Sequence, residues 1–192
     1  MFRWGSAVPA RMSVVSNVIT VAAQGLPFLP VLVLGVVWLL ASRPDKKQLA
    51  VSGVVVAVLA TVLTQVAGAV HADPRPFVVD PASPALFPHP ADNGFPSDHT
   101  VYAATAALLV ATVRRRLGAV LLLVAIVGGL ARVAANVHHL QDIAGALAIA
   151  ALAVAAAVYL TRVLTGMMQR VRLDRRRERA PAVVPGQVGS ER

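Results

Sequence analysis

The sequence predicts an all-α integral membrane protein: a bundle of five transmembrane helices, or six on a second reading, with an N-terminal interfacial helix. Three observations carry this. Of 192 residues, 57% are hydrophobic and 14% charged, where a soluble domain carries about a quarter charged residues. Mean hydropathy is +0.69. Charge-free runs cover Met12–Ser42 and Gln48–Ala72, 31 and 25 residues long, and about 20 apolar residues suffice to cross a bilayer. The net charge of +9 sits in a chain whose apolar runs exclude a simple basic nucleic-acid binder. There is no Cys, which removes disulfides and thiolate chemistry. The length suits one domain.

The elements follow in order. Gly25, Pro27 and Pro30 interrupt the first run. Residues 10–24 are read as a helix lying in the interface or entering at a slant, and 26–41 as the first span. Two spans joined by a tight turn is the alternative, and it makes six. The second span is 48–70. Residues 100–113, 117–131 and 143–161 are charge-free over 14, 15 and 19 residues. The first two reach full length only by taking in Ser97–His99 and Arg132. Ionisable groups at membrane depth are costly and point to function. The last three spans are therefore 97–113, 117–134 and 142–164. Between the second and third, residues 71–96 hold seven of the 13 prolines. Repeated Pro fixes φ and removes donors, so no regular helix is expected there. A loop this long is functional or disordered, and Phe77, Phe87 and Phe95 argue for packing against the membrane face. The domain reading is a membrane domain over 1–165, with 71–96 as its loop, and a basic tail over 166–192 that touches anionic lipid.

Lys and Arg set the direction. With five spans, 14 of the 18 basic residues fall on one side, which is read as cytoplasmic together with the tail. The opposite side holds all five histidines (His71, His89, His99, His138 and His139) and Asp73, Asp80, Asp92, Asp98 and Asp142. Titratable groups thus gather at one membrane face, where a site can be built. The N-terminus lacks a short apolar core followed by a small-residue cleavage site, so no removed signal peptide is expected.

Three constellations reach that face. The first is Asp73-Pro74-Arg75-Pro76-Phe77. An Arg fork suits phosphate, and Pro76 biases Arg75 to extended backbone. A snorkelling interfacial Arg is the plain alternative. The second is Phe95-Pro96-Ser97-Asp98-His99-Thr100, a helix-start signal. Free N–H groups and the dipole end bind phosphate, Ser97 adds a hydroxyl, and His99 can exchange protons near neutral pH. A plain capped helix is the alternative. The third runs from Arg132 to His138-His139-Leu140-Gln141-Asp142. If its end is helical, His138 and Asp142 share a face, and the carboxylate orients the imidazole as in a triad. A passive cap is the alternative. His139 beside His138 admits a metal site. Neighbouring helical residues point about 100° apart, and no His-Glu-x-x-His is present, so no metal is assigned. Together these groups meet the needs of phosphoryl transfer: charge clamping, an in-line nucleophile and a proton donor.

These residues resemble the type-2 phosphatidic acid phosphatase superfamily of membrane lipid phosphatases. Arg75-Pro76 fits the end of its first motif and Pro96-Ser97-Asp98-His99 its second. Arg132, five residues, His138, three residues and Asp142 fit its third. Asp98 and the stretch Phe87-Pro88-His89-Pro90-Ala91-Asp92 before Phe95-Pro96 resemble the bacitracin-resistance type of undecaprenyl-diphosphatase within it. The resemblance implies that His138 attacks the terminal phosphorus and forms a phosphohistidine, with Asp142 orienting it. It implies that His99 protonates the leaving oxygen and later activates water. Arg75, Arg132, Ser97 and the backbone N–H groups near Asp98 would hold the phosphate, with no cofactor and no metal. Three positions depart from the pattern: Gly68 stands where the first motif has Lys, Ala131 where the third has Ser, and His139-Leu140-Gln141 where Tyr-Pro-Ser is commoner. His71 lies near the Lys position.

The expected activity is removal of the terminal phosphate of a polyprenyl diphosphate at the outer face of the cytoplasmic membrane, for carrier-lipid recycling in envelope synthesis. The partners are that phosphorylated lipid and the bilayer, with no nucleic acid. Phosphatases of phosphatidic acid, phosphatidylglycerol phosphate or a phosphorylated glycolipid are the related alternative. A non-catalytic lipid-phosphate binder is the alternative of another class.

Overall fold

The computed structural model describes residues 13–179. Seven helices follow one another: α1 Val14–Gly25, α2 Phe28–Leu40, α3 Arg43–Val70, α4 Pro76–Val79, α5 Asp98–Val113, α6 Arg115–Ala134 and α7 Leu140–Arg179. Among the described residues there is no strand, only an isolated bridge between Pro74 and Asn93.

Local chemistry sets the boundaries. Ser13 caps α1 by accepting from the Ser16 N–H, and Ser42 caps α3 by accepting from the Asp45 N–H, with Pro44 in the first turn. Both satisfy donors that a helix start leaves free. Helix α3 therefore begins at Arg43, earlier than the apolar run alone indicates, and its basic residues lie in its first turns. Pro27 and Pro30 sit at the entry to α2, where a missing N–H costs nothing.

The irregular reading of 71–96 needs one correction. A single helical turn, α4, forms there because Pro76 stands at its first position, and Pro is pre-set for that place. A second correction concerns His138, which precedes α7 and is not helical.

Helix α5 is the centre of the bundle, with nine buried residues in sixteen. Its Val101 and Leu109 meet Val56 and Ala60 of α3 and Ala146, Ile149 and Ala153 of α7. Its Ala103 and Ala104 meet Ala125 of α6 and Ala150 of α7. Lipid tails are as apolar as these side chains, so small residues that allow close backbone approach supply the packing.

Among the described residues, three helices are long and apolar enough to cross a membrane: Arg43–Val70, Arg115–Ala134 and Leu140–Met168. Helices α1 and α2 pass together as a pair bent by 41°, the break lying at Leu26-Pro27. Helix α5 has 16 residues, about 24 Å at 1.5 Å per residue, short of a ~30 Å hydrocarbon core. Residues 10–12 of the expected interfacial helix lie outside the described residues, as do 180–192 of the basic tail. The compact unit that carries the site ends at Val158; Tyr159–Arg192 is a separate unit, helical through Arg179.

Candidate active site

The end of α3, the loop 71–97, the start of α5, the end of α6 and the start of α7 meet at one end of the bundle. The three sequence constellations converge there. Arg75, between two prolines, has φ −59° and ψ 150°, the extended backbone Pro76 demands. Its side chain is 6% exposed. Nε donates to Asp92 (2.8 Å), Nη1 to the Val137 carbonyl (2.8 Å) and to His138 Nε2 (3.2 Å), and Nη2 to the Asn93 carbonyl (3.5 Å). Four partners from two segments hold one guanidinium.

His138 is 2% exposed, and its ring is held from both ends. Nδ1 faces Asp142 Oδ2 at 3.0 Å while Nε2 faces Arg75. A guanidinium only donates and a carboxylate only accepts. The tautomer is therefore fixed: Nδ1 carries the hydrogen and Nε2 keeps its lone pair. Asp142 lies in the first turn of α7 and also accepts from the His139 N–H at 2.8 Å. This backward reach caps α7 and orients His138 with one oxygen, so the pair forms although only Asp142 is helical. Its other oxygen, Oδ1, is buried with no hydrogen-bond partner.

Ser97 is fully buried and precedes α5. Its N–H donates to the Asp142 carbonyl (3.3 Å) and its hydroxyl accepts from Thr100 (3.1 Å). No side chain caps α5, so its first N–H groups keep the positive end of the dipole open. Asp98 opens that helix and is exposed. His99, one residue on, lies edge-on to Phe28 at 5.8 Å.

Arg132 is 2% exposed. Nη1 donates to the Ala23 carbonyl (3.2 Å) and Nη2 to His89 Nε2 (3.1 Å), while Nε has no partner. The ion pairs found among the described residues do not include Arg132. A buried guanidinium without a carboxylate carries a desolvation cost that an arriving anion offsets.

Sequence reasoning missed three residues. His89, to which the sequence assigns no role of its own, sits 6.2 Å ring to ring from His138. Burial, then the charge of Arg75, pushes its pKa down to about 4, against a smaller opposing pull from its bond to the Pro90 carbonyl. It is thus neutral at pH 7 and accepts from Arg132. His138 is also pushed down, by burial first, against the opposing bond to Asp142. Asn93 uses its whole amide: Oδ1 accepts from the Asp73 and Phe95 N–H groups, and Nδ2 donates to the Gly68 and His71 carbonyls. Asp73 Oδ2 accepts from Gln141 (2.6 Å) and faces His139 Nδ1 (3.2 Å), tying the first constellation to the third. The Asn-Gly pair at 93–94 was a turn signal, but nothing local shows that the turn would clamp α3. Asp73, His139 and Asp142 bring ligand-type atoms within 4.8 Å of one another. Their hydrogen bonds to one another and to Gln141 account for that grouping.

Gly68 has a packing reason. A Cβ there would lie 3.1 Å from the Phe95 carbonyl oxygen and 3.7 Å from Asn93 Nδ2. Phe95 cannot yield easily, since its N–H is bound to Asn93 and its ring lies where a Cβ on Gly145 would be, 2.4 Å away. His71, near the same place, sets its ring edge-on against Phe95 at 4.8 Å. Gly68→Lys is therefore expected to loosen the Asn93 clamp and lower stability by about 1–3 kcal/mol, as overpacking does, with no gain in substrate affinity. Thermal melting in detergent and a KM measurement check this; a lower KM at unchanged melting temperature would contradict it.

The family model of the PAP2 superfamily matches residues 49–165, a stretch that holds every residue from Arg75 to Asp142. The chain is 31% identical over 144 residues to the bacitracin transport permease protein BcrC of Bacillus licheniformis, covering 74% of this chain and 70% of that protein. It is 29% identical over 119 residues to the undecaprenyl-diphosphatase BcrC of Bacillus subtilis (strain 168), covering 62% and 61%. The crystal structure of Aquifex aeolicus LpxE shares the fold, with a TM-score of 0.61 at 24% identity over 78% of this chain and 88% of that one. With the motif residues gathered at one end of an all-helical membrane bundle, this chain belongs to the PAP2 superfamily.

Proposed function

We propose that the protein is a membrane lipid phosphatase that removes the terminal phosphate of a polyprenyl diphosphate. The observation that carries the reading is the His138 imidazole, held as the Nδ1–H tautomer by Asp142 with its Nε2 lone pair facing the buried Arg75. His138 Nε2 attacks the terminal phosphorus. The bond to the bridging oxygen breaks, and His99 gives that oxygen a proton. Water then attacks the phosphohistidine, His99 takes a proton from it, and inorganic phosphate leaves. Arg75 turns from Nε2 to the phosphate oxygens as they arrive. Arg132, Ser97 and the open N–H groups at Asp98 hold the remaining charge. Each of these steps uses groups of this chain, without metal or cofactor.

The substrate class is supported by the named activity of the Bacillus subtilis relative and by the Phe87–Asp92 stretch that brings His89 to Arg132. The charge distribution supports a cytoplasmic membrane location with five spans, α1 in the interface, the site outside and the 166–192 tail inside. Gly68, without the motif cation, favours a second reading in which the substrate is a different phosphorylated lipid.

Purified protein in detergent with chelator, given a polyprenyl diphosphate and phosphatidic acid in parallel, separates the readings. Phosphate release from the diphosphate is expected with kcat/KM about tenfold or more above that for phosphatidic acid. The reverse order would assign a different lipid, and release from neither would leave only a phosphate binder.

A further inference from the structure

An apolar cavity of about 380 Å³ lies between α2, α3 and α5, and His99 stands in its wall. We infer that this cavity is the slot for the isoprenoid tail of the substrate; the inference rests on the phosphatase reading above.

The direction of the chemistry supports it. In the proposed reaction His99 protonates the oxygen that departs with the lipid. The lipid must therefore leave on the side of His99, and His99 stands in the wall of this cavity. On α5 the lining runs His99, Tyr102, Thr105, Ala106 and Leu109, a helical stripe that starts at the site and descends ten residues, about 15 Å at 1.5 Å per residue. That is half of a ~30 Å hydrocarbon core. Phe28 and Pro27, at the break between α1 and α2, form the upper lip beside His99.

The far wall adds an independent observation. Gly53 lies mid-way along α3 and lines the cavity. A Cβ added to it would meet nothing within 4 Å. A mid-helix glycine costs roughly 1 kcal/mol relative to Ala, and packing gives no reason for this one. What its bare backbone leaves is space. Ala57, one turn on, is small and exposed, and Phe28 and Tyr102 at the lips are 61% and 56% exposed. The slot is thus open laterally, as entry from a bilayer requires. At ~30 Å³ per carbon, a water's share of liquid volume, it takes roughly a dozen carbons. That seats the first isoprene units of one chain.

The test is the dependence of kcat/KM on chain length, measured with isopentenyl, farnesyl and a long polyprenyl diphosphate. In wild type it is expected to rise with length. In Gly53→Leu and Ala57→Phe the rise is expected to flatten by about tenfold or more, in KM and not in kcat, as loss of uniform binding does. Val58→Phe, on the exposed face of the same helix, serves as the control and keeps the wild-type response. An unchanged length dependence in both filled variants, or equal flattening in Val58→Phe, overturns the slot. A farnesyl diphosphate analogue with a diazirine at its far end, photolysed on wild-type protein, tests the slot without turnover or variants. Label on α3 and α5 near Gly53 and Leu109 is expected, and label confined to α6 or α7 overturns it. If wild type labels there yet releases no phosphate from any diphosphate, the phosphatase reading fails and the slot stands.

Discussion

Substitution of His138 by Ala is expected to reduce phosphate release by roughly 10⁴–10⁶-fold, the scale on which loss of a nucleophile from a coupled catalytic group is felt. KM is expected to change little, because the arginines proposed to bind phosphate keep their other anchors. Arg75 still donates to Asp92 and the Val137 carbonyl, and Arg132 still reaches Ala23 and His89. Asp142 still caps the His139 N–H, so α7 starts where it did. A phosphoenzyme trapped by rapid alkaline quench should appear in wild type and be missing in His138→Ala. The pH profile carries a second check. Burial pushes the His138 pKa below its ordinary 6.5, so its lone pair persists as the pH falls through that value. The acid limb of kcat/KM is therefore expected below pH 6.5, and it rises with pH as His138 loses its proton. Turnover in His138→Ala within tenfold of wild type would remove the nucleophile assignment altogether.

Much of this architecture is legible in one dimension because lipid imposes simple rules. The charge-free runs give α2, α3, α6 and the membrane part of α7 to within a few residues, since apolar length and basic flanks decide where such helices lie. The site was legible as a set of spacings: Arg132, His138 and Asp142 are close in sequence, and their meeting needs only a short turn. What was hidden depends on long-range closure. Asn93 contacts Gly68, 25 residues away, and Asp73 contacts Gln141, 68 residues away; neither partner carries a local signature. His89 looked like one more loop histidine because its meaning lies in Arg132, 43 residues on. Gly68 looked like a lost cation from its motif position, yet a Cβ there would crowd the Phe95 carbonyl oxygen at 3.1 Å. Asp142 paired with His138 as expected, but by reaching back from the first turn of α7, so a helical face was not required.

Arg75→Lys is expected to lower kcat/KM by about 10²–10³-fold, the effect of removing one preorganised donor from a charge that develops in the transition state. The two side chains carry the same charge, so the loss isolates geometry. The guanidinium fork spans Asp92, the Val137 carbonyl and His138 Nε2 at once, with distances of 2.8, 2.8 and 3.2 Å. An ammonium is a point charge with three donors and no fixed plane. It can keep Asp92 or reach the nucleophile's partner phosphate, but it cannot hold the 92–93 loop and the 137–138 turn to each other at the same time. The consequence has two parts that separate experimentally. The loop that carries His89 and Asn93 loses an anchor, so proteolysis within 80–96 is expected to quicken. The phosphate oxygens lose a preorganised donor as charge develops on them, so kcat falls as well as kcat/KM. A mere loss of attraction between cation and substrate would raise KM alone. Single-turnover rates at saturating substrate decide between these, and an unchanged rate in Arg75→Lys would show that Arg75 supplies charge and nothing more.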